Sequence, residues 1–229
     1  LLDACTSYGT RLYWPFSDRR LAWDTISIID PLFTLPLLSL LLLAAYLKRR
    51  LYNYIALSWL AIYMTIGFVQ HERAIAVGQQ IAANRGHNPV KISAKPSFGN
   101  IIVWKIIYEE NDRFYIDAVK PTLNKPVIWQ GDSIKKLQID TDLPWLDKNS
   151  QQAKDLARFT QFSNGYVAID NRLPNHIVDM RYSMLPHQIE GMWGLKLDKE
   201  ANTNAHARWT SLRSSRKNAF SDLWKMIIE

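Results

Sequence analysis

Residues 31–47 read PLFTLPLLSLLLLAAYL, residues 51–69 read LYNYIALSWLAIYMTIGFV, and only Lys48-Arg49-Arg50 stands between them. Neither run carries a formal charge. At about 1.5 Å per residue each makes a helix of roughly 25–30 Å, close to the hydrocarbon thickness of a bilayer. Pro31 and Pro36 fall in the first two turns of the first run, where proline interferes least. Two uncharged runs joined by a short basic loop predict a helical hairpin in a membrane rather than two buried core helices. The basic loop favours the cytoplasmic side, which sets Asp30, Gln70 and the rest of the chain on the periplasmic side. Arg11, Arg19 and Arg20 on the opposite flank weaken that asymmetry.

Outside the hairpin the chain is polar. The 229 residues hold 28 Lys and Arg against 21 Asp and Glu, a formal charge of +7. The mean hydropathy of −0.17 averages two unlike parts. An apolar content of 48% excludes a disordered chain. A single cysteine, Cys5, excludes an intramolecular disulfide framework. Arg208, Arg213, Arg216 and Lys217 with the late tryptophans suggest a basic aromatic surface. Trp104 fits an alternating strand, however, and Trp224 an amphipathic helix, so both are assigned to the core and no nucleic-acid partner is expected. The basic tail is read as a solvated face or one resting on anionic headgroups. The opening Leu1-Leu2-Asp3 reads as the middle of a helix broken at Gly9, in a chain truncated at its N-terminus.

From Gln70 the pattern is that of an α+β module. Residues 70–85 are good helix formers and extend the second span until Gly86, Pro89 and Pro96 break it. Residues 101–108 and 114–118 alternate with a period of two around Asn111-Asp112, a β-hairpin. Further strands are expected near 126–130, 166–169, 177–182 and 193–197. Ser150 caps a helix running to about Phe159. Residues 218–228 form a closing helix with Phe220, Leu223, Trp224 and Ile227 on one face. The expected fold class is therefore α+β: membrane helices, then a small, mainly antiparallel sheet with flanking helices. The expected divisions are a membrane-embedded remnant of a metal site (1–30), a transmembrane hairpin (31–69), a connecting helix (70–90) and a soluble module (91–229).

The first thirty residues hold most of the candidate chemistry. Asp3, Asp18, Asp24 and Asp30 stand there with three arginines, Thr6, Tyr8 and Gly9. An acid at Asp3 can share a metal ion with a histidine one helical turn upstream, because i and i+4 lie on one face. Asp30 marks the mouth of the first span and His71-Glu72-Arg73 the mouth of the second. A hairpin brings both to one membrane face, so Asp3, Asp30 and His71 are expected to converge on a polar site. The plainer reading makes Asp30 a helix cap, His71 and Arg73 interfacial anchors, and Asp3 a terminal acid. The other histidines lack metal-ligand spacing, and no GxSxG, Walker, GxGxxG, HExxH or CxxC pattern occurs.

Asp3, Thr6, Gly9, Trp14 and Pro15, followed by Ile29-Asp30-Pro31, resemble the corresponding segment of the YdjM-like proteins. That group is described as LexA-regulated, membrane-bound, metal-dependent hydrolases of the bacterial inner membrane. The soluble half is similar to longer members at Lys95-Pro96, Ile102-Val103-Trp104, Arg158-Phe159, Gly165-Tyr166 and Asp179-Met180-Arg181-Tyr182. The resemblance implies a multi-pass inner-membrane protein. A divalent metal ion would activate water against an ester or phosphoester, such as a phospholipid, among membrane lipids. On that reading Asp3 is a metal ligand, Asp30 and His71 are catalytic, and Thr6 and Tyr8 are further polar candidates. The family's other ligands lie in earlier motifs, an HRGxTHS type, a Pro-Asp-x-Asp type and the histidine before Asp3, none present in this sequence. The alternative is a non-catalytic, membrane-anchored module that binds envelope components.

Overall fold

The computed structural model describes residues 2–212 and 218–228. Arg213, Arg216 and Lys217 of the basic tail, and Leu1, lie outside the described residues. A single 3-10 turn, Leu2–Cys5, opens the chain, so Asp3 stands on a short exposed turn and not in a helix reaching Gly9. An irregular segment then leads to two helices, α1 (Pro31–Leu47) and α2 (Arg50–Asn84). Asp30 caps α1: its Oδ1 accepts from the Phe33 amide at 3.2 Å, and Pro31 follows at the first helical position.

α1 and α2 fold back on one another. Phe33 packs on Tyr63 with ring centres 5.4 Å apart, and the Trp59 indole donates to the Phe33 carbonyl. Their outer faces are apolar and bare. Leu35, Leu42, Leu51 and Leu57 are each more than 60% exposed, with Tyr46 and Tyr54 beside them. Only α2 is long and apolar enough to cross a membrane among the described residues; α1, at 17 residues, is shorter.

Beyond residue 70 the same helix changes partners. Ala74, Ile81 and Ala82 are buried against a four-stranded antiparallel sheet made of β1 (Lys91–Pro96), β2 (Trp104–Glu110), β3 (Arg113–Lys120) and β4 (Val127–Lys135). The β2–β3 turn is Asn111-Asp112, both at positive φ, the geometry that matches the twist of a two-residue hairpin.

A second sheet was not foreseen. β5 (Val167–Ile169), β6 (His176–Asp179), β7 (Trp193–Lys196) and β8 (Arg208–Ser211) form another antiparallel meander. It lies against the first through Ile107, Phe114 and Ile116 on one side and Tyr166, Ala168 and Val178 on the other. Its outer face carries α4 (Gln151–Phe162), capped by Ser150, through Leu156 and Phe159. A four-residue turn, α3 (Ile139–Asp142), precedes α4. The layers are thus helix, sheet, sheet, helix, and β2 is buried on both faces. The regular alternation of residues 101–108 reflects two cores, not one core and solvent.

The last helix, α5 (Ala219–Ile228), is rotated from its expected face. Ala219, Leu223 and Met226 are inside, whereas Phe220 and Trp224 are 65% and 62% exposed. The positions 219, 223 and 226 keep helical spacing, and Leu223 and Met226 meet Val103, Ala118 and Leu185.

Candidate functional site

Backbone bonds fold the N-terminal segment back on itself. The Trp23 amide donates to the Ala4 carbonyl and the Thr25 amide to Cys5, while Thr10 pairs with Leu21. Gly9, at φ +67°, sits so close that an added Cβ would lie 2.4 Å from the Leu21 carbonyl oxygen. Gly67 of α2 admits the Thr25 carbonyl in the same way, at 2.4 Å. Lys95 of β1 then reaches Asp24 with both carboxylate oxygens within 2.8 Å, a pair that is almost wholly buried.

The three residues expected to converge each have partners of their own. Asp3 is exposed on the opening turn, and its carbonyl accepts from the Thr6 hydroxyl and amide. Asp30 is 3% exposed, and both its oxygens are engaged, one by the Phe33 amide and one by the Tyr63 hydroxyl at 2.7 Å. His71 pairs with Glu72 and stands edge-on to Trp104. No hydrogen bond or ion pair joins any two of Asp3, Asp30 and His71. These residues do not by themselves form a cluster for the metal ion that the resemblance implies. Asp30 has spent its oxygens on a cap and a phenol, and the described residues contain no cluster of three His, Cys, Asp or Glu side chains.

Three concavities surround the N-terminal segment. The first, of about 620 Å³, brings His71 and Glu72 beside Cys5, Asp24 and Trp23, so His71 shares space with Asp24 rather than Asp30. Burial pushes the Cys5 thiol up.

The second, of about 820 Å³, is a polar cleft bounded by Arg11, Arg19, Arg20, Lys95, Arg158 and Arg181, with Asp18 and Asp24. Arg11 is spent on Asp18 at 2.9 Å, Lys95 on Asp24 at 2.7 Å and Arg181 on Asp179 at 2.7 Å. Arg19 and Arg20 are exposed and have no carboxylate partner among the described residues. Arg158 stands 3.9 Å from Asp155. The cleft therefore presents net positive charge where residues 1–30 meet the module. Beside it, residues 12–16 hold Tyr13, Trp14 and Phe16 in the open, at 57%, 68% and 94% exposure.

The third, of about 160 Å³, adjoins the cleft at Ser7, Tyr8 and Arg181 and runs between the two sheets. Its walls are mostly apolar, with Lys105 and Ser183 among the polar exceptions. Lys105 is 3% exposed, and burial pushes its ammonium down to about 7, against the opposing pull of Asp179 and Glu190. Thr6 and Tyr8 divide: Thr6 bonds only within its own turn, while Tyr8 packs at a tilt on Tyr182, ring centres 5.0 Å apart, and borders both openings.

Lys105 was taken as one position in an alternating strand. The signal was there, a lone cation inside IIVWKII, because a charge in a doubly apolar run is buried at a cost unless it has a task. Arg85 and Asp117 were also missed. The guanidinium grips the fully buried carboxylate through two bonds of 2.7 and 2.8 Å, with Tyr108 and His87 beside it, and fastens the end of α2 to β2 and β3. The paired carboxylate raises the guanidinium pKa further.

Residues 1–74 match the family model described as YdjM inner membrane protein. No curated protein and no solved structure matches the chain. Across the N-terminal segment, α1 and most of α2, the chain is therefore similar to the YdjM inner membrane protein family.

Proposed function

We propose that this protein is a membrane-anchored module that binds phosphate-bearing lipid headgroups at the inner-membrane surface. α1 and the first half of α2 cross or enter the bilayer, and residues 91–229 stand on the periplasmic side. The cleft of Arg19, Arg20 and Arg158 carries this reading. It combines the Arg19 and Arg20 guanidinium groups, which have no carboxylate partner among the described residues and suit phosphate bidentately, with an adjacent loop of bare aromatic rings of the kind that sits at headgroup level. The bare leucines of α1 and α2 place lipid within reach of it.

In a neutral detergent the protein should bind short-chain phosphatidylglycerol in preference to phosphatidylcholine. Arg19→Gln with Arg20→Gln should weaken that binding roughly thirty-fold, at about 1 kcal/mol for each basic residue near an anionic surface. Equal binding of the two lipids, or binding untouched by the double substitution, would overturn the reading.

A second reading, which the resemblance of residues 3–31 suggests, is metal-dependent hydrolysis of an ester, with Asp3 as the position on that pattern. Asp30 and His71 are engaged elsewhere. Its test is Asp3→Asn, which should abolish divalent-dependent hydrolysis without disturbing membrane insertion. Unchanged hydrolysis would remove Asp3 from the chemistry.

A further inference from the structure

The small cavity between the sheets contains an arrangement that neither the headgroup cleft nor the family pattern uses. Lys105 Nζ lies 2.7 Å from Ser183 Oγ and 2.7 Å from the Gln188 carbonyl oxygen. Ser183 Oγ also lies 2.6 Å from the Leu185 carbonyl oxygen. Both side chains line the cavity. Two further hydroxyls on its wall, Ser7 Oγ and Tyr182 OH, are buried with no hydrogen-bond partner in the protein. Orphaned buried hydroxyls are costly, and a ligand that bonds to them relieves that cost. The Ser183 and Met184 amides likewise donate to no acceptor among the described residues. The apolar part of the wall is formed by Ile29, Phe98, Met184 and Met192.

We propose that this cavity is a serine–lysine acyl-ester hydrolase site, with Ser183 as nucleophile and Lys105 as general base. A nucleophilic hydroxyl needs a base within hydrogen-bond reach, and 2.7 Å meets that requirement. Once Lys105 is neutral, the Ser183 hydroxyl turns from the Leu185 carbonyl and donates to Nζ. Nζ takes the proton as Oγ attacks the ester carbonyl carbon. The bond from that carbon to the alcohol oxygen breaks, and the departing oxygen takes the proton from the Lys105 ammonium, leaving an acyl-serine. Water, losing a proton to Lys105, attacks the same carbon. Oγ leaves with that proton, so ester and water become acid and alcohol. The Ser183 and Met184 amides and the Tyr182 hydroxyl are the donors available to the developing oxyanion. The apolar wall selects an acyl chain, and Ile29, one residue before the Asp30 cap, places the cavity beside the start of α1.

The charged groups around Lys105 are Asp179 behind it, Glu190 from the 181–192 loop and Arg181 on the cavity wall. Burial outweighs the two carboxylates, so the amine loses its proton near neutrality, where a general base is most useful.

The test uses the full chain in detergent with p-nitrophenyl esters of increasing chain length and a fluorophosphonate probe. Wild-type protein should hydrolyse the esters with a rate that rises as pH passes through about 7. Mass spectrometry should locate the phosphonyl adduct on Ser183. Ser183→Ala should lower kcat/KM by at least about a thousand-fold, and Lys105→Met should do the same and remove the rise near neutrality. Lys105→Met keeps an apolar chain in an apolar place, and a single cooperative thermal transition checks its folding. No hydrolysis and no adduct in the wild-type protein, or full activity in Ser183→Ala, would overturn the proposal. Activity lost to a chelator but kept in Ser183→Ala would overturn it in favour of a metal reaction. Because Arg19 and Arg20 lie outside the cavity, the headgroup variants can fail without altering these results.

Discussion

The first twenty residues of α2 and its last fifteen belong to one continuous helix, yet they follow opposite rules of exposure. In the first part Leu51, Tyr54, Leu57 and Ile62 are all more than half exposed, while Tyr63 and Gly67 turn inward to α1 and residues 1–30. In the last part small residues, Ala74, Gly78 and Ala82, lie inward against Ile92, Trp104 and Ile106, and Gln79, Gln80 and Ala83 lie outward. A helix that is apolar all round belongs in lipid, and one with a single apolar face belongs on a core. The change falls near Gln70, whose side chain donates to the Pro121 carbonyl. One continuous helix therefore links the exposed apolar hairpin to the sheet.

The largest expected effect is at the sheet-bound end. Asp117→Ala leaves the Arg85 guanidinium facing an empty buried site and should destabilise the module by about 3–5 kcal/mol. Denaturant unfolding in detergent measures it, and a loss below about 1 kcal/mol would break the view of this end as a core. Next comes a paired comparison along the helix. Ile81→Ala should cost about 2–5 kcal/mol, because Ile81 is 7% exposed, whereas Leu57→Ala should cost under about 0.5 kcal/mol. Equal costs would contradict the division.

The two packed glycines sharpen it further. At Gly67 an added methyl meets the Thr25 backbone oxygen, which cannot swing away. At Gly78 it meets the ends of the Ile106 and Ile92 side chains, which can. Gly67→Ala should therefore loosen residues 1–30 at a cost of about 1–3 kcal/mol, and Gly78→Ala should cost less. Protease access to residues 11–23 reports the first change.

A separate effect concerns pH. Lys105 titrates near 10.5 in the unfolded chain and near 7 in the fold. Between those values the unfolded state binds the extra proton, so raising the pH from about 7 toward 10.5 favours the fold. Below about 7 both states are protonated and the burial penalty is fully present. Lys105→Met should flatten that rise, and an unchanged pH dependence would contradict the burial of the charge.

Much of the fold was legible in local chemistry. The run of residues 70–85 continued α2 without proline, Asn111-Asp112 specified a tight hairpin turn, and Ser150 announced a cap. β1 escaped because Lys91, Lys95 and Pro96 make a six-residue strand look like a break. Lys95 is tolerated there only because Asp24, distant in sequence, neutralises it. The second sheet was hidden for a related reason. Its strands are only three or four residues long, and their pairing with the first sheet through Tyr166 and Val178 is set by packing rather than periodicity. The candidate site was the least legible. Proximity to one membrane face suggested that Asp30 and His71 converge, but Tyr63, on a facing turn of α2, takes the Asp30 carboxylate. Ser183 and Lys105 are 78 residues apart, and only the stacking of the sheets brings them together.

Depth measurements along α2 test the central division most directly. Single spin labels placed in turn at residues 51–84, in a Cys5→Ser background, report collisions with oxygen and with a water-soluble nickel complex. Labels at Leu57 and Ile62 should collide with oxygen and be shielded from nickel, while those at Ala74 and Ile81 should be shielded from both. Nickel access at Leu57 and Ile62 matching that at exposed loop residues would show that this face meets water, and would contradict the membrane anchor.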